Sequence, residues 1–266
     1  MKKIIDYYRS LPKNEWREMR KSVSVPEYVL WWQVRVMMLY ALGMTLKTYL
    51  ETGEKLDILI QLIANVFAAF SVTFFRVVFP KQIFLGRLPY SAQKYGMILV
   101  LFGSYMGHYL GFCGKPGYDS FLHVLSGFLC VFICHEAVVK CLQKQERPLS
   151  GFMSSVVGFG MGCFVIIFWE IFEFVYDYFV GTTLQDFLFN PSEDYILFRL
   201  FGTPAAPEQK AVFDTMIDMV LALVSSIPAA AILWASTAHK QKKQAQNEPL
   251  QFSQPPQIES QEAMKK

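Results

Sequence analysis

The chain has 266 residues, of which 53% are hydrophobic, 16% aromatic and only 18% charged. A soluble domain carries about 25% charged residues, so this composition excludes an ordinary soluble enzyme and points to a multi-pass membrane protein. The net charge of +3 is spread over loops and tails rather than gathered on one face, so no nucleic-acid partner is expected.

Residues 1–27 come first. Charges interrupt them throughout, as in Lys13-Asn14-Glu15-Trp16-Arg17-Glu18, so they hold no apolar stretch before a cleavage site and are not a signal peptide. Ile4, Ile5, Tyr8 and Leu11 fall at helical spacing and predict a short amphipathic helix on the membrane surface. Residues 28–237 then hold six runs of the length that spans a bilayer: 29–47, 57–79, 95–113, 121–142, 151–180 and 212–235. Pro80, Pro116, Pro148 and Pro207 lie between the runs, where helix breakers belong. The predicted fold is all-α, a polytopic membrane bundle of six transmembrane helices. Residues 238–266 are rich in Gln, Pro and Ser and read as a disordered cytoplasmic tail.

Basic residues set the orientation. The N-terminal segment carries Lys2, Lys3, Arg9, Lys13, Arg17, Arg20 and Lys21; the second loop Lys81, Arg87 and Lys94; the fourth Lys140, Lys144 and Arg147; the tail His239, Lys240, Lys242 and Lys243. The alternate loops are poorer, so both termini are expected in the cytoplasm. Within the spans, Arg76 lies near the inner end and reads as snorkelling to the headgroups. Arg35 lies deeper and either snorkels or has an intramembrane role. Gln61 and Asn65 read as interhelical hydrogen-bonders, and Gly127, Gly158, Gly160 and Gly162 as points of close helix approach. Five cysteines at 113, 130, 134, 141 and 163 include no CxxC, which gives neither a disulfide framework nor a zinc knuckle.

The fifth run ends in Phe168-Trp169-Glu170-Ile171-Phe172-Glu173-Phe174-Val175-Tyr176-Asp177, whose acids at i, i+3 and i+7 form one stripe of a helix. An ionised acid in hydrocarbon costs about 2.5–3.5 kcal/mol on insertion scales, so these groups need partners, protons or a metal. The orientation puts more such groups at the same depth, near the outer face. His108 ends the third run, Asp119 and His123 share a face at the start of the fourth, and Asp214 and Asp218 do so at the start of the sixth. Six carboxylates facing two histidines either hold protons or admit a cation. Carboxylate and imidazole pairs at this spacing on facing helices are how bundles build metal sites. The candidate ligands are Asp119, His123, Glu170, Glu173, Asp214 and Asp218, with His108 and Asp177 as candidate catalytic proton carriers. The ion is a divalent metal cation, with zinc, manganese, iron and magnesium all compatible. A cation path through the membrane, or a structural network between helices, has a similar signature. His135-Glu136 lies about 20 Å further along its helix and reads as an ordinary solvated pair.

Tyr118-Asp119-x3-His123-x3-Gly127, then Glu136, Trp169-Glu170-x2-Glu173 and Asp214-Thr215-x2-Asp218-Met219 resemble the YjdF-like family of bacterial inner-membrane proteins. The opening Asp-x3-His is similar, more distantly, to VanZ-like membrane proteins. The resemblance implies a multi-pass location in the bacterial inner membrane and a shared set of polar positions that includes Glu136; it implies no reaction. Val124, Phe213 and Phe201-Gly202-Thr203-Pro204 depart from the family pattern.

The loop from Gly181 to Ala211 is unusually apolar and either hugs the membrane or folds over the acidic cluster as a lid. Two classes of function follow: a metal-dependent membrane enzyme acting on a lipid or lipid-linked substrate, and a proton- or cation-coupled transporter. A third option is an assembly protein whose cluster only joins helices.

Overall fold

The structure, a computed structural model, describes residues 14–79, 83–142, 149–180 and 207–247, and among these the regular structure is all helical. Residues 14–22 form α1. Ser24 then starts α2 (Val25–Thr52) with a capping box, in which Glu27 accepts from the Ser24 N–H at 2.9 Å. Gly53, at φ 74°, stops α2 in the left-handed conformation that glycine adopts without strain. Next come α3 (Leu56–Val78), α4 (Tyr90–Leu99), α5 (Tyr118–Leu142), α6 (Gly151–Val180) and α7 (Pro207–Asn247).

Five of these helices are long and apolar enough to cross a membrane: Val25–Thr52, Leu56–Val78, Tyr118–Val138, Gly151–Phe179 and Val212–Gln246. Their outward faces are apolar, as lipid requires; on α6 they carry Phe164, Phe168, Ile171 and Phe174. The run expected at 95–113 is present but not as one α-helix. After α4 the chain continues as a π-helix over Val100–Tyr109, closed by the Leu110 N–H donating to the Tyr105 carbonyl at 3.0 Å. Hydropathy has the same profile for either winding, so the sequence does not distinguish them. Ten residues of π-helix is unusual, because such segments are commonly single turns at functional sites.

Interhelical contacts fix the register. Gly162 meets Val131 and Gly158 meets His135, so α5 and α6 run antiparallel. Gly127 meets Ala222 and Gly151 meets Ala238, so α7 runs parallel to α5 and antiparallel to α6. The start of α5, the end of α6 and the start of α7 therefore meet at one end of the bundle. Gly160 differs from its neighbours, since a Cβ there would meet nothing within 4 Å; it is not a point of close approach.

A second layer, α2, α3 and α4, packs around Trp31, Val34, Met38, Leu62, Ala69, Met97 and Val100. Arg35 belongs to this core and does not snorkel. It is 4% exposed, donates from Nε to the Ala69 carbonyl at 3.1 Å and from Nη2 to Thr73 Oγ1 at 3.2 Å, and lies 4.5 Å from the Phe70 ring centroid. Backbone carbonyls and π faces are what an intramembrane guanidinium uses in place of water. Gln93 donates to the same Ala69 carbonyl at 3.1 Å. Gln61 and Asn65, by contrast, make no side-chain hydrogen bond among the described residues.

Arg76 is likewise buried rather than snorkelling. Its Nε donates to Glu15 Oε2 at 2.7 Å, Nη1 to the Leu88 carbonyl at 2.7 Å, and Nη2 pairs with Glu18. The Tyr90 hydroxyl also donates to Glu15 Oε2, at 2.8 Å. α1 is thus fastened to the bundle by charge; the interfacial helix expected from Ile4, Ile5, Tyr8 and Leu11 lies outside the described residues. At the other end of the chain, α7 continues past residue 237 to Asn247. Ala, Lys and Gln dominate that stretch and favour helix, and Gln241 holds it by donating to the Leu149 carbonyl at 2.7 Å. The loop at 181–206, with the lid expectation, lies outside the described residues.

Candidate metal centre

The site begins where α5 leaves the π-helix. The Tyr118 hydroxyl donates to the Phe102 carbonyl at 2.8 Å and anchors the first turn of α5. Asp119 and His123 follow on one face at i, i+4, with Nε2 of His123 3.6 Å from Asp119 Oδ2. α6 runs the opposite way and brings Glu170 Oε1 to 3.5 Å from His123 Nδ1. α7 runs with α5 and brings Asp218 Oδ2 to 3.7 Å from His123 Nε2. Close packing makes this convergence: one turn beyond His123, Gly127 lies against Ala222, and Ser226 donates to the Gly127 carbonyl at 2.9 Å. Without a side chain at 127 the backbones approach closely enough for residues on three helices to reach one imidazole.

His123 is 6% exposed, Glu170 5%, Glu173 9% and Asp218 4%, whereas the Asp119 side chain is 42% exposed. The centre is therefore closed on three sides and open at Asp119. Two groups of possible ligands result, Asp119 with His123 and Asp218, and His123 with Glu170 and Glu173; within each, one donor atom per residue lies within 4.8 Å of the others. Nitrogen and carboxylate oxygen at these separations fit a divalent cation of borderline hardness.

Neither group includes Asp214, His108 or Asp177. Asp214 is half-buried one turn before Asp218, and its charge acts on Asp218. His108 is half-buried in the last turn of the π-helix, within electrostatic reach of Asp119 and of Asp57. Asp177 is half-buried one turn beyond Glu173. Asp57 was not among the candidate residues. It opens α3, where a first-turn acid is ordinary, but the topology puts that turn at the end of the bundle that holds the cluster; its charge also reaches Tyr176. Glu136 belongs elsewhere: Ser91 of α4 donates to it, so it ties α4 to α5.

A family profile described as "Predicted membrane protein (DUF2238)" matches residues 30–240, a stretch that contains every residue of the cluster. No curated protein and no solved structure matches the chain.

Proposed function

The chain belongs to this family of membrane proteins, and on that premise we propose that it is a membrane-embedded enzyme whose centre is a divalent cation beside His123. The observation that carries the reading is a buried imidazole with carboxylates from three helices at ligand separation around it. Nε2 of His123, Asp119 and Asp218 hold the cation. A cation so placed polarises a phosphoryl or carbonyl oxygen or activates water. Asp119, half in solvent, marks the side from which substrate arrives, and a lipid or lipid-linked substrate fits a mouth at the end of transmembrane helices. His108 and Asp177 flank the centre as proton carriers. The transporter reading needs a polar path to the opposite face, and beyond Gly127 the α5–α7 interface closes on Val131, Ala229 and Leu233.

The same proposal takes α4 and the π-helix together as the sixth span, with both termini in the cytoplasm; the alternating basic loops and the likeness to YjdF-like inner-membrane proteins support it. Single cysteines at Lys115 and Gln145, in a chain otherwise free of cysteine, should label from opposite sides of the membrane. Labelling from one side contradicts the six-span arrangement.

The cation is tested by stability. A ligand that binds only the folded state stabilises it by about 2.7 kcal/mol at 100 times its Kd. Adding zinc or manganese to chelated protein should therefore raise its melting temperature. His123→Ala and Asp218→Asn should each reduce the rise, while Glu136→Gln, about 20 Å along α5 by helix rise, should keep it in full. An unchanged wild-type melting curve sinks the reading, and the acids are then a protonated network.

A further inference from the structure

We infer that the centre holds two divalent cations, one on each side of the His123 ring. The inference rests on the reading of the cluster as a cation centre and deepens it. His123 is almost wholly buried, and each ring nitrogen faces carboxylate oxygens: Nε2 has Asp119 at 3.6 Å and Asp218 at 3.7 Å, and Nδ1 has Glu170 at 3.5 Å. An N–H···O bond would bring these atoms to about 2.7–3.2 Å. Two ligands of one tetrahedral ion, with bonds of about 2.1 Å, stand roughly 3.4 Å apart. All three separations are of the second kind.

The two lone-pair directions of an imidazole diverge in the ring plane, so one ion cannot use both nitrogens. The carboxylates divide into two groups around the ring, Asp119 and Asp218 at Nε2, and Glu170, which faces Nδ1, with Glu173. Charge points to the same count. With all four carboxylates ionised, the largely buried site would carry four negative charges, and one divalent ion would offset half of them. For the second ion to bind, the ring N–H bond breaks and its proton leaves to solvent. The ring then carries one negative charge, and two divalent ions bring the set of five ligands within one charge of neutrality. Uncompensated charge in a low dielectric is what such a site has to avoid. Metal binding that displaces ligand protons makes loading pH-dependent.

The test uses the full chain in detergent or lipid nanodiscs, stripped with chelator, loaded with zinc alone and desalted. The wild type should retain two zinc ions per chain and release protons as the second loads. Glu173→Gln and Asp218→Asn should each retain one, and His123→Ala should retain fewer than two; size exclusion and circular dichroism check that each variant is folded. A wild-type count of one, kept in Glu173→Gln and lost in Asp218→Asn, overturns the two-ion inference and leaves the single cation centre standing. A wild-type count of zero, or a count unchanged in His123→Ala, overturns both.

Discussion

Gly127→Ala is expected to lower the melting temperature and to remove the response to added cation. A Cβ at this position would collide with the Ala222 carbonyl oxygen and Ser225 Oγ, and would stand 2.6 Å from Ala222 Cα. Two of these three atoms are backbone, so no rotamer change relieves the overlap and α7 itself has to move away from α5. Overpacking of a closed interface costs about 1–3 kcal/mol and occasionally more, and a backbone clash belongs at the upper end. The same shift separates Asp218 from His123, because Gly127 and His123 are one turn apart on α5 and Ala222 and Asp218 one turn apart on α7. Gly160→Ala is the control. It meets nothing within 4 Å, and loss of glycine's unfolded-state freedom should leave stability equal or raise it by about 0.4–1 kcal/mol. Thermal unfolding of the two variants, with and without cation, separates a packing effect at 127 from a general intolerance of side chains. Equal behaviour of the two would contradict the register.

Arg76→Ala is expected to destabilise the protein by about 3–5 kcal/mol, because removing one partner of a buried ion pair strands the other. Glu15 is 5% exposed and also accepts a hydrogen bond from the Tyr90 hydroxyl at 2.8 Å. Glu15→Gln combined with Arg76→Met should recover part of the loss, since neither residue then carries a buried charge. Limited proteolysis reads the local effect: α1 should become cleavable in Arg76→Ala while the α5–α7 unit stays protected. If Arg76→Ala unfolds with the wild-type profile, α1 is held by its apolar contacts alone, such as Trp16 against Tyr28 at 5.8 Å.

The apolar runs were legible in the sequence because lipid imposes length and composition directly, and the acid stripe because helical spacing places Glu170 and Glu173 on one face. Positions that depend on distant partners were not. Arg76 and Glu15 are 61 residues apart, and from a local window a basic residue at a span end reads as snorkelling whether or not an acid waits for it. Arg35 likewise finds its acceptors on α3, at a carbonyl no sequence pattern marks. The π-helix escaped because its residues are as apolar as an α-helical span; Gly103 and Gly107 within it are the only local sign of loosened winding. Glycine spacing alone also misassigned Gly160, which faces open space, while Gly127 beside it in the same reading carries the tightest contact. Asp57 stayed unnoticed because a first-turn acid satisfies the helix dipole and draws no further attention.

X-ray absorption at the zinc edge, on zinc-loaded and desalted protein, tests the His123 centre most directly. A nearest shell of nitrogen and oxygen at about 2.0–2.2 Å is predicted, with imidazole scattering behind it that disappears in His123→Ala. No zinc edge after desalting, or the same spectrum from His123→Ala as from the wild type, would contradict it.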